Sequence, residues 1–143
     1  MYNKPIIVFE GIETSGKSLH IKNVENYLKK KNLNFIKIRE PGGNYNSEKI
    51  RKLILSNESN FNKVTDLYLY LASRSENIDK VINKNYNKKI IIIDRFIDST
   101  VAYQHYSMGL DKKIIDINNK FILGKLKIDF TFLNIVNKKN LLI

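Results

Sequence analysis

The stretch Phe9-Glu10-Gly11-Ile12-Glu13-Thr14-Ser15-Gly16-Lys17-Ser18-Leu19 decides how the rest of the chain is read. Gly11 and Gly16 frame four residues and Lys17-Ser18 follow at once, the spacing of a loop that wraps phosphate. The setting matters more than the string. Before the loop, Pro5-Ile6-Ile7-Val8-Phe9 is a β-branched and aromatic run of the kind that forms a strand buried on both faces. After it, Leu19, Ile21, Val24 and Leu28 recur at near-helical spacing within residues 17–31. In the order strand, glycine loop, helix, small residues let successive N–H groups curl around phosphate, and the helix adds roughly half a positive charge at its start. Gly11, Ile12, Glu13, Thr14, Ser15, Gly16, Lys17 and Ser18 are therefore the candidate cradle for a nucleotide's phosphates. Lys17 is placed to reach the β- and γ-phosphates and the Ser18 hydroxyl to ligate magnesium. The bland alternative is a glycine turn with one more exposed lysine, and the flanking strand and helix weigh against it.

The same alternation continues downstream. Residues 34–38 read as a second strand, closed by Glu40-Pro41-Gly42-Gly43. Residues 47–55 read as a helix, and 64–85 as a longer one in which Leu67, Leu71, Ile78, Val81 and Ile82 face a core. Ile90 to Ile93 form a buried strand ending in Asp94, residues 98–106 and 112–123 are helices, and 129–135 is another strand. Strands separated by helices call for a parallel sheet with right-handed crossovers, because parallel neighbours need a long connection. The expected class is α/β: a three-layer parallel sheet flanked by helices, in one domain over residues 1–143. Asp94, at the carboxyl end of a buried strand, stands where such sheets place ligands and is a second candidate for magnesium. A strand-ending Asp is also an ordinary turn former.

The formal charge is +11, from 25 Lys plus Arg against 14 Asp plus Glu, which suits a polyanionic partner. A drift toward AT-rich codons, in a chain crowded with Lys, Asn and Ile, yields the same excess, and the lysines are scattered rather than gathered into a stripe. No specific nucleic-acid partner is expected. In this background only Arg39, Arg51, Arg74 and Arg95 escape replacement by lysine. A guanidinium fork grips phosphate or a base edge in a way an ammonium cannot reproduce. Cysteine is absent, which excludes a disulfide scaffold and fits a reducing compartment. No apolar run reaches membrane-spanning length and no signal peptide is visible, so a cytoplasmic protein without membrane attachment is expected.

Four blocks then resemble the thymidylate kinases, a family of P-loop nucleoside monophosphate kinases. They are FEGIETSGKS (9–18), REPGG (39–43), LYLYLASR (67–74) and DRFIDSTVAYQ (94–104), with KIDFTFL (127–133) similar to the strand that follows. Order and intervals agree from the first strand to about residue 135, and all four arginines fall at family positions. The resemblance implies the P-loop NTPase fold and transfer of the γ-phosphate of ATP to dTMP, giving dTDP for dTTP biosynthesis, with magnesium, in a homodimer paired through helices. It implies that Tyr70 stacks on thymine and Arg74, on the same helix face, donates to a base oxygen. It implies that Arg51 and Arg95 grip the dTMP phosphate, that Ser99, Thr100 and Gln104 wall the base, and that Tyr103 lies under the sugar. Glu13 resembles the acid near the acceptor, and Glu40 the acid of the REPGG turn. Lys17, Arg95 and Glu13 are the implied catalytic set, acting mainly by alignment and charge neutralisation. The bland reading of Tyr70 is core filler and of Arg74 a solvated charge.

Leu19 and Thr14 depart from a common hydroxyl residue and a common glycine of the family, and Asn44 and Asn134 from a frequent threonine and acid. The sequence ends at Ile143, before the family's arginine-rich lid, final helices and strand. The expectation is a fragment, or a shortened form that binds nucleotides and turns over poorly, since a missing arginine finger costs on the order of a thousandfold in rate. Two other functions fit parts of the chain. Another nucleotide or deoxynucleoside kinase shares the glycine loop without the 94–104 block, and a non-catalytic basic module binds ATP or nucleic acid with steep salt dependence.

Overall fold

The computed structural model describes residues 4–137; the ends of the expected domain, 1–3 and 138–143, lie outside the described residues. Four strands, β1 (Ile6–Gly11), β2 (Phe35–Arg39), β3 (Ile90–Asp94) and β4 (Phe130–Asn134), form one parallel sheet in the order β2-β3-β1-β4. Ile6 pairs with Ile91, Phe35 with Ile90 and Ile7 with Phe130. Every strand runs the same way, so Gly11, Arg39, Asp94 and Asn134 all finish at one edge of the sheet. That edge collects the loops that carry the candidate site.

The isoleucine-rich strands are buried on both faces because their two sets of alternate side chains enter different cores. Ile6, Val8, Ile91 and Ile93 join Ile38, Ile78, Ile82 and Phe96 on one side. Phe9, Ile90 and Ile92 join Ile21 and Leu28 of helix α1 (Lys17–Lys30) on the other. This is the three-layer α/β arrangement. Full burial of each such side chain contributes about 1.5–3 kcal/mol, and Ile6, Ile91, Ile92 and Ile93 are 0% exposed. Leu19, part of the apolar periodicity of α1, is 61% exposed, so the buried stripe of that helix rests on Ile21 and Leu28.

Helix α2 (Tyr45–Leu55) is capped by Asn44, whose side chain accepts from Asn46 N and Ser47 N. Helix α3 (Lys63–Asn77) is capped in the same way by Asn62. The expected helix over 64–85 is not uniform. After Asn77 the backbone widens into a π-helical stretch (Ile78–Ile82) before a last α turn, α4 (Asn83–Asn85). The expected helix over 98–106 likewise starts as α5 (Ile97–Thr100) and continues as a π-helix (Val101–Ser107). Apolar spacing reports which face is buried and not how tightly the backbone is wound, so neither change of pitch was expected. Helix α6 (Lys112–Leu123) packs Ile115 into a third cluster with Leu67, Leu71 and Leu110.

Candidate active site

The loop after β1 forms where the chain must leave the sheet edge and start α1 within a few residues. Gly11 has φ 146°, and a Cβ there would lie 2.8 Å from the Asn134 carbonyl oxygen and from Ser15 Oγ. Gly16, at φ 78°, is the N-cap residue of α1 and its carbonyl accepts from Leu19 N and His20 N. Thr14 takes a left-handed φ of 65°, a conformation that costs a side-chain-bearing residue about 1–2 kcal/mol. Among the described residues the Ser15 hydroxyl is buried without a hydrogen-bond partner, as a loop built to receive an anion would leave it. Residues Ile12 to Ser18, together with Arg95, line a cavity of about 300 Å³. Gly11 lines an adjoining cavity of about 520 Å³ instead.

Lys17 is 8% exposed and its ammonium pairs with the Asp94 carboxylate across the end of β3. The two candidate metal ligands therefore differ in state: Ser18 is exposed at the loop, whereas Asp94 is engaged by lysine. Among the described residues no group of three His, Cys, Asp or Glu side chains could hold an ion by itself. A hydroxyl and one carboxylate beside a phosphate cradle suit magnesium, which keeps several waters and takes much of its coordination from a nucleotide's phosphates.

A second cavity, about 250 Å³, is lined by Glu13, Glu40, Arg51, Tyr70, Arg74, Arg95, Ser99, Thr100 and Tyr103 among others. Its wall is a buried polar network. Arg74 is 1% exposed; its Nε donates to Glu40 Oε2 at 2.7 Å, Nη1 to Asn119 Oδ1 at 2.5 Å, and Nη2 to Phe96 O and Thr100 Oγ1 at 2.9 Å each. Among the described residues these bonds use four of the five N–H groups on this guanidinium, so Arg74 is first a hub joining the turn after β2, α3, α5 and α6. Burial pushes the Glu40 carboxyl above its ordinary range while the Arg74 guanidinium pulls it back down. Asn77 donates to Gly42 O at 2.6 Å and Ser73 Oγ accepts from Gly42 N at 3.1 Å, fixing the turn after Glu40. Arg51 donates to Pro41 O at 2.7 Å. Among the described residues Arg39 reaches only Glu48, at 3.3–3.4 Å on the exposed side of the turn, so it braces the turn. The N–H of Gly43 on Glu48 holds that carboxyl below its usual range.

Tyr70 is half-buried on the wall, and burial pushes its phenol up. Gln104 does not reach this cavity. It is 1% exposed and its amide donates to Asp66 Oδ2 at 2.9 Å. Arg95 lines both cavities, as does Glu13. Its backbone is left-handed, φ 67°, and its Nη1 lies 3.4 Å from the Tyr103 hydroxyl. Glu10, 3% exposed, accepts from Phe96 N, Ser99 N and Ser99 Oγ. Glu10, Asn77 and Asn119 were not expected to belong to the site. Only Glu10 carried a signal, as a charge directly after an apolar run.

The structure thus brings eight of the nine acceptor-side candidates to one cavity, Gln104 excepted, and seven of the eight loop candidates to another, with Arg95 and Glu13 between them.

Residues 9–142 match the family model described as thymidylate kinase. The chain is 41% identical over 129 residues to the thymidylate kinase of Sulfurihydrogenibium sp., covering 89% of this chain and 63% of that protein. It is 40% identical over 119 residues to that of Kosmotoga olearia, covering 82% and 57%. A crystal structure of the thymidylate kinase from Ehrlichia chaffeensis superposes with a TM-score of 0.87 at 36% identity, covering 96% of this chain and 76% of that one. The chain spans about three fifths of the length of the curated relatives it matches.

Proposed function

The chain belongs to the thymidylate kinase family, and from that premise we propose that its site transfers the γ-phosphate of ATP to dTMP, giving dTDP. The observation that carries the proposal is the junction of the two cavities at Arg95 and Glu13. Two mononucleotides seated in them meet phosphate to phosphate. ATP places its phosphates in the loop of Gly11 to Ser18. Lys17 leaves Asp94 for the β- and γ-phosphates, since the more concentrated negative charge outcompetes a single carboxylate. Arg51 and Arg95 take the dTMP phosphate as forked donors, Tyr70 stacks on the base, and Tyr103 underlies the sugar. Ser99 and Thr100 face the base, and the remaining N–H of Arg74 donates to a base oxygen. Gln104 supports this wall from behind. Glu40 keeps Arg74 in place, and Glu13 lies between the reacting phosphates.

Phosphoryl transfer needs little covalent help from the protein, so alignment and charge neutralisation do most of the work. Ser18 and Asp94 would hold magnesium, which when bound neutralises charge on the transferring phosphate. The same reading makes the protein a cytoplasmic homodimer; among the described residues no helix is long and apolar enough to cross a membrane. Support for pairing through helices comes from the exposed Ile117 and Phe121 of α6 and the exposed Val64 and Tyr68 of α3.

Turnover measured with dTMP, dUMP, dCMP and thymidine as acceptors tests the proposal. The expected order has dTMP first, with thymidine at least a hundredfold less efficient, because two guanidinium contacts to phosphate are lost. Equal use of the four acceptors would contradict it.

A further inference from the structure

The backbone of Arg95 sits in the left-handed region at φ 67°. Asn32 and Asn87 do the same, but an amide side chain tolerates that conformation and an arginine gains nothing from it. A bulky residue stays there only when its neighbours over-determine it. Two anchors do so. On the near side, Arg95 N donates to Phe9 O at 2.9 Å, the last hydrogen bond that continues the β1–β3 pairing. On the far side, Phe96 N donates to Glu10 Oε1 at 2.8 Å. Glu10 then binds the next turn as well, accepting from Ser99 N at 3.3 Å and from Ser99 Oγ at 2.5 Å.

Phe96 is the N-cap residue of α5 and has no side-chain cap of its own. In a capping box the residue at the third helical position reaches back to the N-cap N–H. Here that position is Ser99, too short to do so, and a carboxylate imported from β1 serves both N–H groups at once. Glu10 thus welds the end of the first strand to the start of the helix, with the kinked Arg95 between. It lines neither the phosphate-loop cavity nor the acceptor cavity, only the adjoining cavity of about 520 Å³ that it shares with Gly11 and Arg95. Its contact with the reaction runs through the residues it holds.

We propose that Glu10 is a positioning residue: by binding Phe96 and Ser99 it aims the Arg95 guanidinium at the acceptor phosphate. The inference rests on the acceptor reading above. A misplacement of about 1 Å by a residue remote from the chemistry can cost roughly a hundredfold in rate, and the same misplacement weakens a phosphate contact in the ground state. The affinity of the chain for dTMP relative to thymidine isolates that contact, since the two ligands differ only in the phosphate.

Calorimetric titration of both ligands into wild type, Glu10→Ala, Glu10→Asp and Glu10→Gln tests it. Glu10→Ala is expected to lower the dTMP-to-thymidine affinity ratio about tenfold or more, with a clearly smaller fall in thymidine affinity from the release of Ser99. Glu10→Gln is expected to keep the ratio, since its Oε1 still accepts the two N–H groups and its amide donates to the Ser99 hydroxyl. Should Glu10→Ala fail to fold, Glu10→Asp, one methylene short, carries the test with a smaller drop in the same ratio. A folded Glu10→Ala or Glu10→Asp with the wild-type ratio overturns the assignment, as does a parallel loss of both affinities, which marks a merely structural role. Equal affinity of the wild-type chain for dTMP and thymidine would instead refute the acceptor reading, and this inference with it.

Discussion

Lys17→Ala is expected to lower phosphoryl transfer by roughly a thousandfold, the lower end for removal of one cation that stabilises the transferring group, while dTMP affinity stays within about twofold. The asymmetry follows from position. Lys17 lines the phosphate-loop cavity and is not part of the acceptor wall. Its loss also frees Asp94, whose carboxylate it pairs with, so a negative charge is left facing the nucleotide. Single-turnover measurements at saturating ATP separate the chemical step from binding. A variant that transfers phosphate at more than a tenth of the wild-type rate would remove Lys17 from the catalytic set.

Arg74→Ala carries the largest expected effect on stability, a loss of about 3–5 kcal/mol, the range for breaking one side of a buried ion pair. Glu40 is 5% exposed and would be left buried without the guanidinium that now donates to it at 2.7 Å. Asn119, Thr100 and the Phe96 carbonyl lose a donor at the same time. The loss depends on pH in a defined direction. Burial already raises the Glu40 carboxyl above 4.5 and Arg74 opposes the rise, so removing Arg74 lets it climb further. The folded variant then binds a proton that the unfolded chain releases, and its stability falls as pH rises through the folded value. Urea denaturation should find the deficit largest at neutral pH and smaller towards pH 4.5. Glu40→Gln in the Arg74→Ala background should recover part of it, because no charge remains buried. A deficit under 1 kcal/mol at neutral pH would mean that Arg74 is a ligand contact and not a hub.

The strands were readable because each is an uninterrupted block of Ile, Val and Phe bounded by Gly, Pro or Asp, and such blocks have few places to go except a two-sided sheet. The phosphate loop was readable because its chemistry is local: glycine, lysine and hydroxyl lie within eight consecutive residues. What escaped is non-local. The hydrogen bonds of Glu10 come from residues 86 and 89 positions away, and no spacing rule connects them. Arg74 reads as an exposed or ligand-facing charge, yet the turn after β2, α5 and α6 converge on it and use four of its five donors. Gln104 shares a motif with Thr100 and Tyr103, but the π-helical winding of residues 101–107 turns it towards Asp66. The Asn at position 44, a departure from the resembled family, proves to be an N-cap that also donates to Asn77, so its short amide serves the fold directly.

The central claim is that an anion cradle and an arginine-lined pocket hold two mononucleotides at once, end to end. Calorimetric titration of dTMP into the chain already saturated with magnesium and a non-transferable ATP analogue tests it most directly. The expected result is one dTMP bound per chain, with an affinity at least as high as in the absence of the analogue. Competition between the two ligands, or no binding of dTMP in either state, would contradict it.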